Sequence, residues 1–139
     1  MAVEMKIQVC QVSGSASEAA IGRHQVTIDR PVAKGGEDAG PMGGQLFLAA
    51  VGGCFMSNLL AAIKARGAEV SGVRVEVTGV LAEAPSRFTK VELGVEAEHR
   101  DAELLERLVE IADRGCVMMN TLRGITEVSL RCRSMHSDR

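Results

Sequence analysis

From Ala39 to Ile63 the chain carries no charged side chain. A run of that length and polarity either crosses a membrane or is covered by other parts of the protein. Its opening holds Gly40, Pro41, Gly43 and Gly44, which read as a loop, and its remainder, QLFLAAVGGCFMSNLLAAIK, contains two further glycines and the polar Gln45, Ser57 and Asn58. Segments of alternating polarity lie on both sides. This pattern argues against a membrane span and for a core helix, buried on all sides. Lys64 and Arg66 followed by Gly67 supply the stop, with two cations at the negative end of the helix dipole.

Within that helix Ala49, Gly53 and Ser57 recur every fourth residue and form a stripe of small side chains that lets another helix approach closely. Ala50, Cys54 and Asn58 form the neighbouring row, which sets the Cys54 thiol beside the close contact. On residue type alone, Cys54 is most simply a small buried hydrophobe.

Elsewhere the patterning is that of strands. Residues Met5 to Val12 and His24 to Ile28 alternate at period two around a break at Ser13 to Ser17, as an antiparallel hairpin would. The glycine- and proline-rich PVAKGGEDAGPMGG follows as a loop. Val73, Val75, Val77 and Leu81 alternate with polar residues, as do Val91, Leu93, Val95 and Ala97, with a turn at Ala84-Pro85-Ser86 between them. Asp101 caps a second helix with Leu104, Leu108, Ile111 and Ala112 on one face, and Gly115 ends it. The segment VMMNTLRG reads as a short helical turn, and Val128, Leu130 and Cys132 alternate as a last strand, with Cys132 facing the core. Strands joined mostly as hairpins, with two main helices between them, give an α+β fold of antiparallel sheets in a single domain spanning residues 1–139.

Composition narrows the function. With no Trp, no Tyr and three Phe among 139 residues, stacking of bases or sugars on aromatic rings is excluded as a main binding mode. A formal net charge of -2 argues against a nucleic-acid partner. Four widely spaced cysteines, Cys10, Cys54, Cys116 and Cys132, have neither the local pairing of a zinc site nor the density of a disulfide scaffold. His24, His99 and His136 show no ligand spacing, so neither a metal nor another cofactor is expected, and the three read as surface residues. Glu4 and Lys6 interrupt the first residues before any apolar run, which leaves the cytosol as the expected compartment, with thiols at rest.

GGEDAGPMGGQLFLAAVGGC, followed much later by GCVMMNTLRG, resembles the osmotically inducible protein C and organic hydroperoxide resistance (OsmC/Ohr) family, in a divergent form. The likeness runs from about Asp29 to Arg123 and includes the order of loop, apolar helix with cysteine, second helix and second cysteine. It implies an intertwined homodimer with its active sites at the subunit interface, a burial that the small stripe and the uncharged helix suit. It also implies a thiol-dependent peroxidase in which Cys54 attacks an organic hydroperoxide, Cys116 resolves the product, and an external dithiol regenerates the pair. Phe47, Phe55, Met118 and Met119 would then form an apolar pocket for the substrate. Family members also use an arginine held by a glutamate at the start of the cysteine helix. Here that glutamate position reads Gly44, and Arg30, with Arg23 as the fallback, is the candidate cation.

A second departure follows Cys116, where the usual proline and serine are Val117 and Met119, while Asn120, Thr121 and Leu122 match. Two rival readings therefore stay open: a noncatalytic binding or redox-sensing relative, and an unrelated α+β domain with structural thiols.

Overall fold

The computed structural model describes residues 2–133, so His136 lies outside the described residues. The elements are β1 (Gln8–Gln11), β2 (Ser17–Ile21), β3 (His24–Ile28), a 3-10 turn at Val32–Lys34, α1 (Gly43–Arg66), β4 (Val70–Ala82), β5 (Arg87–His99), α2 (Ala102–Arg114), α3 (Val117–Leu122) and β6 (Glu127–Cys132). The fold is α+β, as expected. The chain divides into two compact units, Met1–Phe47 and Leu48–Arg139.

The first unit is an antiparallel sheet in the order β1-β2-β3, not the two-stranded hairpin that the alternation suggested. The additional strand, Ser17–Ile21, is SEAAI, whose small side chains give a weak period-two signal, although Ala19 is buried. Cys10 lies exposed on β1. The loop after β3 is organised by Asp29, a buried carboxylate that accepts the backbone N–H groups of Arg30 at 2.7 Å and of Glu37 and Ala39, both at 3.1 Å. Burial works to raise its pKa, but those N–H groups and the Ser15 hydroxyl outweigh it and hold the carboxyl below its ordinary value. Two glycines are obligatory here. A side chain at Gly36 would collide with the Arg30 carbonyl, and one at Gly40 with that of Thr27.

In the second unit β4 and β5 pair antiparallel, with Val77 opposite Leu93 and Val75 opposite Val95. Val91, Leu93, Val95 and Ala97 are fully buried. Asp101 caps α2 by accepting the Leu104 N–H at 3.1 Å. The buried face of α2 is Leu105, Leu108, Val109 and Ala112, a rotation from the expected one, with Ile111 turned out to solvent. β6 pairs parallel with β5, setting Leu93 beside Leu130 and Val95 beside Cys132, so the sheet is not wholly antiparallel. The crossover through α2 and α3 is long enough to permit this. Cys132 is half-buried rather than fully in the core. Burial, with the Glu106 carboxylate adding to it, raises its pKa.

α1 is long and apolar enough, by length and composition, to cross a membrane. In the single chain its burial follows one face, Val51, Gly52, Phe55, Leu59 and Ala62, rather than all sides. The stripe of Ala49, Gly53 and Ser57 is exposed, as are Ala50, Leu60 and Ala61. The reason is geometric, since one neighbouring layer covers only one side of a cylinder. At Gly52 that layer comes close: a methyl added there would reach within 2.7 Å of Val77 Cγ2 on β4.

Two outcomes follow. Gly52→Ala gains about 1 kcal/mol of helix propensity but overpacks a stiff β-branched neighbour, and a net loss of about 1–2 kcal/mol is expected in urea unfolding. Because the folded-state pKa of Asp29 is depressed, its contribution to stability is present above its unfolded value near pH 4 and lost as pH falls through the folded value. Asp29→Asn should therefore be less stable than the parent at pH 7, with the gap closing under acid in paired unfolding curves.

Candidate functional site

Two thiols meet in the second unit. Cys54 stands on α1, one residue before the buried Phe55 and two after the buried Gly52, so it sits at the margin of the helix's packed face and is half-buried. One turn later Asn58 lies beside Gly115, where an added side-chain carbon would stand 4.0 Å from the Asn58 amide. The row Cys54–Asn58 thus faces the turn that ends α2. Cys116 follows that turn in extended conformation (φ -82°, ψ 113°) and is the N-cap residue of α3. It is completely buried.

The Cys116 thiol donates to the Cys54 sulfur across 3.3 Å, and both are free thiols. The sulfurs are in contact but not bonded, a disulfide requiring about 2.05 Å. Burial acts to raise the Cys54 pKa, yet the Met118 backbone N–H, the Cys116 thiol and the Val117 backbone N–H more than offset it, and the net displacement is downward. For Cys116 the sign is opposite. Burial raises it first, and the hydrogen bond to Cys54 and the like charge that Cys54 would carry raise it further, against the lowering by the Met119 and Met118 N–H groups. The pair is therefore polarised, with Cys54 the thiol that ionises and Cys116 the one that keeps its proton.

Burial of Cys54 calls for something to stabilise its thiolate, a part that the family resemblance gives to a cation such as Arg30 or Arg23. Backbone does that work instead: the groups acting on Cys54 are two amides and a thiol, with no charged side chain among them. The signal was in the chain, because a helical turn starting directly after Cys116 points its first N–H groups back past the cap. Arg30 and Arg23 are both exposed in the first unit, where Arg30 and Lys34 line a cleft of about 390 Å³ with Ser15, Ser17 and Met42. No acidic side chain occupies the first turn of α1, and Gly44 is exposed.

Of the expected pocket residues, Phe55 and Met119 are wholly buried, and Met118 is half-buried. Phe47 is half-buried on the first turns of α1. Also missed was a polar clamp behind Cys116. Arg123 donates from Nη1 to Asn120 Oδ1 at 2.6 Å and from Nη2 to Asp113, while Asn120 Nδ2 donates to the Arg114 carbonyl at 3.0 Å.

Comparison with known proteins gives a consistent picture. The family described as OsmC-like protein matches residues 35–131. An OsmC-like protein from Mycoplasma pneumoniae superposes with a TM-score of 0.81 at 18% identity, covering 98% of this chain and 99% of that one. An organic hydroperoxide resistance protein from Elizabethkingia anophelis gives 0.75 at 23% identity, over 97% and 100% of the two chains. The organic hydroperoxide resistance protein OhrB of Bacillus subtilis gives 0.65 at 25%, over 93% and 98%. No curated protein matched the sequence.

The polarity of the pair is measurable. Alkylation by iodoacetamide, located by peptide mass spectrometry, should modify Cys54 with a rate profile that rises below the ordinary thiol value of about 8.5, while Cys116 reacts last of the cysteines in the folded protein. Cys116→Ala removes a donor to the Cys54 sulfur and should move the Cys54 profile to higher pH.

Proposed function

The chain belongs to the OsmC-like family, and on that premise we propose that it is a soluble, thiol-dependent peroxidase that reduces organic hydroperoxides. The observation that carries the proposal is the 3.3 Å contact between Cys54 and Cys116. Two thiols of unequal acidity, one reachable and one enclosed, are what a two-step peroxide reduction needs.

The chemistry runs in three steps. The Cys54 thiolate attacks the terminal oxygen of the hydroperoxide; the S–O bond forms as the O–O bond breaks, and the departing alkoxide leaves as the alcohol after taking a proton. Cys54 is now a sulfenic acid. The Cys116 sulfur then attacks the Cys54 sulfur, and the hydroxyl leaves as water with the proton that Cys116 carried, producing a disulfide. An external dithiol reduces that disulfide by exchange, itself becoming oxidised, and both thiols return. The balance is one hydroperoxide and one dithiol in, one alcohol, one water and one disulfide out. No cofactor is needed for these steps.

Arg30 is the residue we assign to the charge on the departing oxygen, with Arg23 as its alternative. The apolar side chains of Phe47, Phe55, Met118 and Met119 favour a substrate with a hydrocarbon body over hydrogen peroxide itself. The exposed small stripe on α1 suits a second copy of the chain, so we take the working form to be a homodimer built from one OsmC-like domain per chain, in the cytoplasm. A noncatalytic redox sensor on the same fold is the second reading, favoured by Gly44 and Val117, where the family pattern is lost.

Steady-state peroxide consumption with an organic hydroperoxide and a dithiol separates the readings. Cys54→Ser should fall to background, and Cys116→Ser should complete one turnover and then accumulate sulfenic and sulfinic acid at Cys54. Consumption that persists in Cys54→Ser would remove the proposed nucleophile, and oxidation of Cys54 without turnover in the parent would favour the sensor. Arg30→Ala should lower kcat/KM by about a hundredfold or more, the usual scale for one charge-stabilising donor.

A further inference from the structure

The first turn of α3 supplies the N–H groups that act on Cys54, yet α3 is only six residues long and its N-cap residue makes no side-chain capping hydrogen bond. A helix this short has little stability of its own. Something outside it has to fix where it starts. The side chains around it show what does: the Arg123 guanidinium, just past the C-terminal end of α3, reaches Asn120 with one arm at 2.6 Å and Asp113 in the last turn of α2 with the other. Asn120 in turn donates to the carbonyl of Arg114 at 3.0 Å, and its own N–H bonds the Cys116 carbonyl at 2.9 Å. The clamp therefore spans the Gly115–Cys116 turn from both sides.

We propose that Arg123 is a positioning residue for the thiol pair: by tying α3 to the end of α2 it holds the Cys116 turn in place, and with it the thiol that donates to the Cys54 sulfur across 3.3 Å. Arg123 carries no reacting atom and works through Asn120 and Asp113. The pairing with Asp113 is partly shielded, with side-chain exposures of 41% and 22%, and the two-armed geometry is one that arginine satisfies and lysine does not. By contrast Arg131 pairs with Glu92 at 2.6 Å on the sheet, with exposures of 66% and 26%, and has no link to the thiols through these hydrogen bonds. The inference rests on the reading of Cys54 as the ionising thiol, and its test does not depend on peroxide turnover.

The experiment is the pH profile of Cys54 alkylation in the full-length protein, read by mass spectrometry, for Arg123→Ala, Arg123→Lys, Asp113→Asn and the control Arg131→Ala. Arg123→Ala should move the profile to higher pH, and a displacement of about one pH unit slows alkylation about tenfold at any fixed pH well below both midpoints. Arg123→Lys should recover only part of this, Asp113→Asn should give a smaller displacement in the same direction, and Arg131→Ala should leave the profile in place. Should Arg123→Ala fold poorly, Asp113→Asn keeps the side-chain shape and decides the question alone. A parent-like profile in folded Arg123→Ala, or full recovery by Arg123→Lys, which would reduce the effect to bare charge, overturns the proposal. An ordinary thiol profile in the parent itself would overturn the reading of Cys54 beneath it.

Discussion

Everything distinctive about the second unit converges on where α3 begins. Cys116 is its N-cap, and the Met118 amide, the Cys116 thiol and the Val117 amide together outweigh burial and displace the Cys54 pKa downward. A thiol in apolar surroundings is normally held in its protonated form. Here burial still acts in that direction and is overcome by hydrogen bonds, which work at short range and only in one geometry. The fold's task is to deliver two sulfurs, distant in sequence, to that single place.

The delivery is made by rigid parts. Gly52 lets α1 lie close to Val77, the buried residues Val51, Phe55 and Leu59 fix the helix's rotation, and the Cys54–Asn58 row is left facing Gly115. α2 is anchored by its Asp101 cap and its buried leucines, and its end carries Asp113 and Arg114 into the clamp. This bears on the two departures from the family pattern. Val117 in place of proline keeps a backbone N–H that a proline would lack, and it is one of the amides acting on Cys54. Val117 thus adds a hydrogen-bond donor where the thiol uses one.

Much of this was legible in the chain. The uncharged helix, the β4–β5 hairpin, the Asp101 cap and the short turn after Cys116 follow from periodicity and capping chemistry, and the likeness of two separated motifs brought Cys54 and Cys116 together. What escaped has physical causes. β2 is built of small side chains with little amphipathic signal, the parallel docking of β6 is set by a crossover rather than by its own residues, and the face of α2 differs from the expected one by a modest rotation. Asp29 escaped because an acidic residue beside a glycine-rich loop reads as solvent-exposed, while its satisfaction by three N–H groups depends on a loop conformation that periodicity does not encode. The expected all-round burial of α1 mistook composition for neighbours: a single chain covers one face.

The central claim is that these two sulfurs form one redox unit. It is tested most directly by adding one equivalent of an organic hydroperoxide to the fully reduced protein, quenching with an alkylating agent and mapping cross-linked peptides without reductant. The account predicts a single intrachain bridge between Cys54 and Cys116, with Cys10 and Cys132 recovered as alkylated thiols. Peroxide consumed while Cys54 and Cys116 remain unlinked, or a bridge formed through Cys10 or Cys132 instead, would contradict it.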